Sequence, residues 1–440
     1  GCARAALSPI RRFLAIEASS GMLLLLAALV ALAWANSPWA GSYHALWHTE
    51  VRIGIGDWAV ARSLHFIVND ILMAVFFFVV GLEIRRELHE GELSEVRRAA
   101  LPLLAAVGGM LVPALIYAAF NAGGPGARGW GVPMATDIAF AIGVVTVLGR
   151  RVSPALRVLL LALAVIDDLG AILVIAIFYT GGIALPWLGV AGAGLAAVWL
   201  VRLSGTRRLL AYLGPGVVVW LGLYLAGIHP TLAGVLLGLS TPVVAWLGVD
   251  GLRRARGELA QVIDGDPHDH LERLDDVQRA CREAVSPSVH LQHRLHATVA
   301  FVIMPLFALA NAGVPLGGGI GGAAAPVFWG VVLGLVAGKL IGVFGAAWIG
   351  VRMGVAVRPR GVDARGMAVV ATVAGIGFTM SLFVAQLALP PGPLLDAAKL
   401  GILVASGAAM TLGAVLGVLV LRPPADAAAD EQAAERATEH

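Results

Sequence analysis

Asp167 and Asp168 stand side by side in the apolar run VLLLALAVIDDLGAILVIAIF, residues 158–178. Two carboxylates in such a setting can do two kinds of chemistry: they can carry protons, and they can ligate a hard cation through oxygen. The run is long enough to cross a bilayer as a helix. An ionised acid at the bilayer centre costs roughly 2.5–3.5 kcal/mol on insertion scales. The 14 Leu, Ile, Val and Phe residues of the run offset roughly 4–8 kcal/mol in total. The helix can therefore insert, but both acids must face protein or a wet cavity. Neighbours on a helix point about 100° apart, so the two carboxylates need different partners. Three further polar groups lie at comparable depth: Thr136 and Asp137 in GWGVPMATDIAFAIGVVTVLG (129–149), and Lys339 in VLGLVAGKLIGVFGAAW (332–348). A buried lysine, unlike arginine, can lose its proton. Asp137 alone is compatible with a structural acid. The conjunction of Asp137, Asp167, Asp168 and Lys339 across three apolar spans is hard to explain as packing. Asp70, in NDILMAVFFF, either lines an access funnel or bonds to Asn69 and nearby backbone.

The elements that must position these groups follow from composition. Of 440 residues 59% are hydrophobic and 13% charged, against about 25% charged in a soluble protein. This reads as an all-α polytopic membrane protein. Twelve apolar spans are expected, at about 13–35, 64–84, 99–120, 130–149, 157–180, 184–201, 209–226, 229–248, 295–314, 326–350, 366–389 and 395–421. With a cytoplasmic N-terminus, every arginine but Arg52, Arg62 and Arg128 falls in or beside cytoplasmic loops and tails. That bias predicts the orientation, with both termini inside the cytoplasmic (inner) membrane of a bacterium. Residues 10–421 read as one transmembrane domain. The outside loop 36–62 contains HTEVRIGIG, compatible with a short hairpin. The mixed-charge loop 249–294 has a helical pattern around HLERLDDVQRACREA, and the tail 422–440 reads as disordered and acidic. The opening residues carry no readable cleavage signal. Cys2 and Cys281 have no metal or redox spacing, and no cofactor is expected.

Two spans are interrupted. Pro133 disturbs the fourth span just before Thr136 and Asp137, and Gly375 and Gly377 flank the centre of the eleventh, where Thr379 and Ser381 can bond to freed backbone groups. Unwound backbone at this depth is tolerated only where it is buried or lines a cavity. Interrupted helices in the two halves of a chain point to an inverted-repeat transporter with its site at the midplane. Facing half-helices leave positive and negative ends in low dielectric; Asp137 could neutralise the first pair and Lys339 the second.

At these residues the chain resembles the NhaA family of sodium/proton antiporters. The resemblance rests on ATDIAFAIGV (135–144), LALAVIDDLGAILVIAIFYT (161–180), AGIHPTLAGVLLGLSTP (226–242), LHATVAFVIMPLFALANAGV (295–314), GKLIGV (338–343), GIGFTMSLF (375–383) and FIVNDILMAVFFFVVGLEIRREL (66–88), colinear over nearly all of 10–421. It implies twelve helices, with helices 3–5 and 10–12 as inverted repeats and the interrupted helices 4 and 11 crossing. It implies export of Na⁺, and usually Li⁺, against a larger number of entering protons. By motif, Asp168 and Asp167 are the ion and proton carriers, Asp137 and Thr136 lie at the crossing, and Lys339 pairs with Asp167. Glu83, Arg86 and Glu87 match a cytoplasmic pH-sensing cluster, and His229 a histidine linked to pH response. From pattern alone, the first three are equally an ion-paired helix end and His229 a cap at a tight turn. The outside loop 36–62 matches the segment the family uses for a homodimer contact. In LQHRLHAT, Gln292 replaces an acid of the family's pH-response region, and Ala297 replaces a proline.

The residues thus predict an electrogenic, pH-regulated Na⁺(Li⁺)/H⁺ antiporter, a secondary transporter embedded in lipid rather than an enzyme, with no nucleic-acid partner. An intramembrane aspartyl protease would need its acids on separate helices, whereas Asp167 and Asp168 are consecutive on one. A sodium-coupled organic-anion symporter on the same fold would need polar or aromatic groups near the break, and few are present. A non-transporting scaffold would tolerate Asp168→Asn.

Overall fold

The computed structural model describes residues 2–55, 58–204, 210–243, 286–317, 321–359 and 361–421, with isolated positions between 253 and 277. The helical pattern expected near 270–284 and the tail 422–440 lie outside the described residues, Val277 excepted.

Among the described residues the secondary structure is helical apart from one hairpin. In order come α1 (Cys2–Ala35), α2 (Ala40–His48), β1 (Glu50–Ile55), β2 (Trp58–Ser63), α3 (Leu64–Glu90), α4 (Val96–Asn121), a 3₁₀ segment (Ala127–Met134) and α5 (Ile138–Leu148). They are followed by α6 (Pro154–Phe178), α7 (Leu185–Leu203), α8 (Leu210–Leu225), α9 (Thr231–Ser240) and α10 (Pro287–Asn311). The last are α11 (Ala324–Arg352), α12 (Ala364–Val373), α13 (Phe378–Ala388) and α14 (Pro393–Val420). Among the described residues 8 helices are long and apolar enough to cross a membrane, or up to 10 if each of two bent pairs is one span. The expected spans 209–226 and 229–248 are shorter apolar helices here, Ala211–Leu225 and Thr231–Ser240. The protein is a multi-pass membrane protein. Leu, Val, Ile and Trp side chains on the outer faces of the helices, such as Leu115, Val147, Ile177 and Leu419, are exposed, as lipid contact requires.

The chain divides into two compact units. The first comprises 1–69, 95–179 and 300–440. Its strands pair antiparallel from Glu50↔Ser63 to Ile55↔Trp58. Here α4 packs along α11, and the approach is as close as backbone allows. A methyl group on Gly108 would meet the Gly342 carbonyl oxygen, and one on Gly342 the Gly108 oxygen. Small residues at such points let membrane helices touch backbone to backbone. The second unit comprises 70–94 and 180–299. In it α9 lies on α3, with Gly81, Gly234 and Gly238 at the contact. Among the described residues three helices contain a single π-helical turn: Ile67–Leu72 in α3, Val299–Ile303 in α10 and Gly334–Gly338 in α11. Such turns occur often at functional sites.

Candidate functional site

Both interruptions lie in the first unit, and they face each other. The segment Ala127–Met134, with Pro133 inside it, winds as 3₁₀ helix and stops. Ala135 and Asp137 are extended, with ψ of 145° and 107°, before α5 begins. In the other element α12 ends at Val373 and α13 starts at Phe378, with a 48° bend. Gly375 and Gly377 fill this break because nothing larger fits. A Cβ on Gly375 would stand 2.5 Å from the Leu335 carbonyl oxygen, and one on Gly377 would overlap Ser381 Oγ.

The residues between the half-helices satisfy one another. Asp137 N–H donates to the Ile376 carbonyl at 2.7 Å. The Asp137 carboxylate accepts from Phe140 N–H (3.3 Å) at the start of α5 and from Thr379 N–H (3.0 Å) at the start of α13. It also accepts from the Thr379 hydroxyl. One buried carboxylate, 1% exposed, thus caps two helix N-termini, where a negative charge is most favourable. Ser406 Oγ of α14 accepts from Phe378 N–H at 3.1 Å. Thr379 was expected to serve freed backbone, but its hydroxyl instead holds Asp137. Ser406 was missed, because a serine in a Gly- and Ala-rich span carries no signal of what lies opposite.

The second focus is Asp167. Ser153 caps α6 through Leu156 N–H, and Pro154 occupies its first turn, which carries the acid pair to mid-helix. Lys339 Nζ lies 2.5 Å from Asp167 Oδ2, and neither side chain is exposed. Thr136 Oγ1 is 2.6 Å from the same oxygen and 2.8 Å from the Ala374 carbonyl. A hydroxyl has one hydrogen, so Thr136 donates to Asp167 or to Ala374. It can donate to Ala374 while still bonded to Asp167 only if the carboxyl supplies the other proton. The second oxygen, Asp167 Oδ1, is buried and accepts no hydrogen bond from the described residues. Asp168, the next residue on α6, is 2% exposed. Lys339 reaches Asp167 rather than the carbonyl ends of the half-helices; Asp137 N–H takes the Ile376 carbonyl, and the Thr136 hydroxyl lies within reach of the Ala374 carbonyl.

The structure therefore brings Thr136, Asp137, Asp167 and Lys339 into one buried network around the two breaks, with Asp168 adjacent on α6. Its chemistry is anionic oxygen, hydroxyl and carbonyl beside a single buried ammonium: a set suited to a hard monovalent cation and to protons.

The remaining expected residues lie in the second unit and do not form one cluster. Glu83, Arg86 and Glu87 are half-buried near the end of α3, where Glu87 Oε1 accepts from Glu92 N–H at 2.7 Å and stabilises the following turn. His229 is held by Thr231 Oγ1 at 2.7 Å from Nδ1, beyond a turn that Gly227 makes at φ +82°. Its Nε2 is 3.6 Å from Asp70 Oδ1. The Asp70 carbonyl also accepts from Trp220 Nε1, at 3.3 Å. Asp70 and Glu83 are thirteen residues apart on α3, about 20 Å at helical rise. The sequence reading treated Asp70 and His229 separately; the fold makes them partners.

Comparison with known proteins adds a second line. The model of the family described as Na⁺/H⁺ antiporter 1 matches residues 11–417. The Na(+)/H(+) antiporter NhaA 2 of Myxococcus xanthus is 55% identical over 445 residues, covering 98% of this chain and 93% of that protein. The Na(+)/H(+) antiporter NhaA 2 of Sorangium cellulosum is 53% identical, covering 100% and 96%. The Na(+)/H(+) antiporter NhaA of a Janthinobacterium strain is 50% identical, covering 94% of each.

Proposed function

Since the chain belongs to the NhaA family of Na⁺/H⁺ antiporters, we propose that it expels Na⁺ against entering protons by letting both ions compete for Asp168 and Asp167. The observation that carries this reading is the convergence of Lys339 Nζ and Thr136 Oγ1 on one oxygen of fully buried Asp167, next to Asp168. Na⁺, and by the same oxygen chemistry Li⁺, binds at Asp168 with hydroxyl, carbonyl or water oxygens completing the shell. Bound Na⁺ weakens the hold of Lys339 on Asp167 and releases protons. A carrier site that is loaded with either ion crosses; an empty, doubly charged one is penalised by desolvation. The cycle needs no cofactor.

In this reading the chain makes twelve spans with both termini in the cytoplasm, as its arginine distribution supports. Helices 3–5 and 10–12 are inverted repeats, and the two breaks are the midplane crossing. More than one proton enters per Na⁺, so the membrane potential drives export at about 2.3 kcal/mol per charge per 100 mV. Glu83, Arg86, Glu87 and His229 adjust activity to pH, His229 through Asp70. The hairpin of loop 36–62 carries a homodimer contact.

The test is Na⁺-induced dissipation of a pH gradient in everted membrane vesicles. Wild type collapses the gradient on Na⁺ addition, and Asp168→Asn at equal expression does not. Retained exchange in Asp168→Asn refutes the assignment.

A further inference from the structure

A second polar cluster in the first unit takes no part in the site above. Asn69 Nδ2 donates to Gln386 Oε1 (2.8 Å), Gln386 Nε2 donates to Asn311 Oδ1 (2.6 Å), and Asn311 Nδ2 donates to Asn69 Oδ1 (2.8 Å). Three amides thus form a closed ring joining the beginning of α3, the end of α10 and the end of α13, with one longer bond running the other way, from Asn69 Nδ2 to Asn311 Oδ1 at 3.4 Å. Asn311 is fully buried and Asn69 is 7% exposed. The direction of the ring is fixed, because the other Asn311 amide hydrogen goes to the Phe307 carbonyl at 2.9 Å. Reversing the ring would set an amide oxygen against that carbonyl.

The fixed direction has a consequence at His65. Asn69 Nδ2 lies 3.0 Å from His65 Nε2 and 3.2 Å from Nδ1. An amide nitrogen only donates, so it favours a neutral imidazole, whether it meets a lone pair or the ring face. An imidazolium has no lone pair to offer. To meet one, Asn69 must turn its oxygen toward His65, and both ring bonds at Asn69 are then lost. The other charged groups near His65 would not stabilise the cation. Lys399 of α14 bears on it with positive charge, and Asp396 faces Lys399; of the uncharged groups, the Asn311 side chain is the one whose hydrogen bonding favours the cation. Arg62 of β2 lies over the ring of Phe66. From α10 and α13 the groups presented to the cluster are the amides Asn311 and Gln386.

With the orientation of the preceding subsection, on which this inference rests, the ring lies toward the outside. Gln386 is seven residues beyond Thr379, about 10 Å along α13 from the capping of Asp137. We propose that His65 and the Asn69–Gln386–Asn311 ring form an outer latch on the broken helix. A proton from outside converts His65 to imidazolium, turns Asn69, and frees the end of α13 from α3 and α10. The route from the outside to the carriers then opens, and turnover rises with external acidity.

Hydrogen exchange tests the latch without requiring transport. In lipid nanodiscs, amides near 384–389, corrected for intrinsic rates, exchange roughly tenfold or more faster at pH 5.5 than at pH 8, as expected for losing two hydrogen bonds. His65→Phe removes this step. Gln386→Met exchanges fast at both pH values, and serves alone if His65→Phe does not accumulate. In proteoliposomes with clamped internal pH, the dependence of Na⁺ efflux on external pH flattens in both variants. A step in exchange that persists in His65→Phe overturns the proposal, as does equal exchange at both pH values in wild type or a Gln386→Met protein that keeps the wild-type step. Flat exchange beside an inactive Asp168→Asn removes the latch and leaves the carrier assignment standing. An active Asp168→Asn beside a clear exchange step does the reverse.

Discussion

Oδ2 of Asp167 lies within hydrogen-bond distance of both an ammonium and a hydroxyl, and this concentration of donors sets what substitutions do. Lys339→Met leaves a buried carboxylate without its cation, a change that costs about 3–5 kcal/mol when one partner of a buried pair is removed. The expected outcome is a clear fall in the melting temperature of the purified protein. Adding Asp167→Asn to Lys339→Met recovers most of that stability and restores no exchange, because the lost stability is electrostatic while the lost activity is chemical. Thr379 offers a second case. Thr379→Val removes a hydroxyl from the Asp137 carboxylate and costs about 1.5–3 kcal/mol, whereas Thr379→Ser keeps the bond and stays near wild type; thermal denaturation of the two variants separates them. The acid pair and the lysine were legible in the sequence because charge in an apolar run has no bland explanation. The role of Thr379 was not, since a threonine in such a run is ordinary and its partner lies 242 positions away.

The helices reach their positions through glycine contacts that a pattern of apolar residues does not reveal. Gly108 and Gly342 bring α4 and α11 together, and Lys339 lies three residues before Gly342, one turn away on a neighbouring face. Gly342→Val forces these backbones apart and costs about 1–3 kcal/mol as overpacking. Exchange activity falls more than protein yield does, because the displaced element carries the lysine. Gly345→Val is the control: nothing lies within 4 Å of a Cβ there, and both yield and exchange remain. The interruptions themselves were expected, since Pro133, Gly375 and Gly377 stand where apolar helices should continue. From the sequence, Asp137 was matched to the positive half-helix ends and Lys339 to the negative ones. The structure gives Asp137 to the two N-termini and Lys339 to Asp167.

For the molecule as a whole, the proposed sharing of the carriers by Na⁺ and protons fixes the sign of the expected pH dependence. Protons exclude Na⁺, so the Na⁺ concentration giving half-maximal exchange increases as pH falls, by about tenfold per unit for each competing proton where the carriers titrate. Exchange measured at fixed external pH and varied internal Na⁺ checks this; a half-saturation that does not move with internal pH removes the competition. A deletion confined to the β1–β2 hairpin is expected to yield monomers on cross-linking while exchange persists, since the network at the breaks draws nothing from these strands.

Residue chemistry and order along the chain sufficed for the class, the family and the acid pair. Bilayer thickness and the cost of intramembrane charge restrict what such a sequence can be, and seven motifs in order leave little freedom. Only the tertiary structure decided partnership: Thr136 with Ala374, Asp137 with Thr379 and Ile376, Asp70 with His229, and the amide ring at His65. The reason is physical. Insertion free energy is summed along one helix and can be read from it, whereas a hydrogen bond depends on which helices meet and at what register, and that is set by glycine-scale contacts between segments remote in sequence.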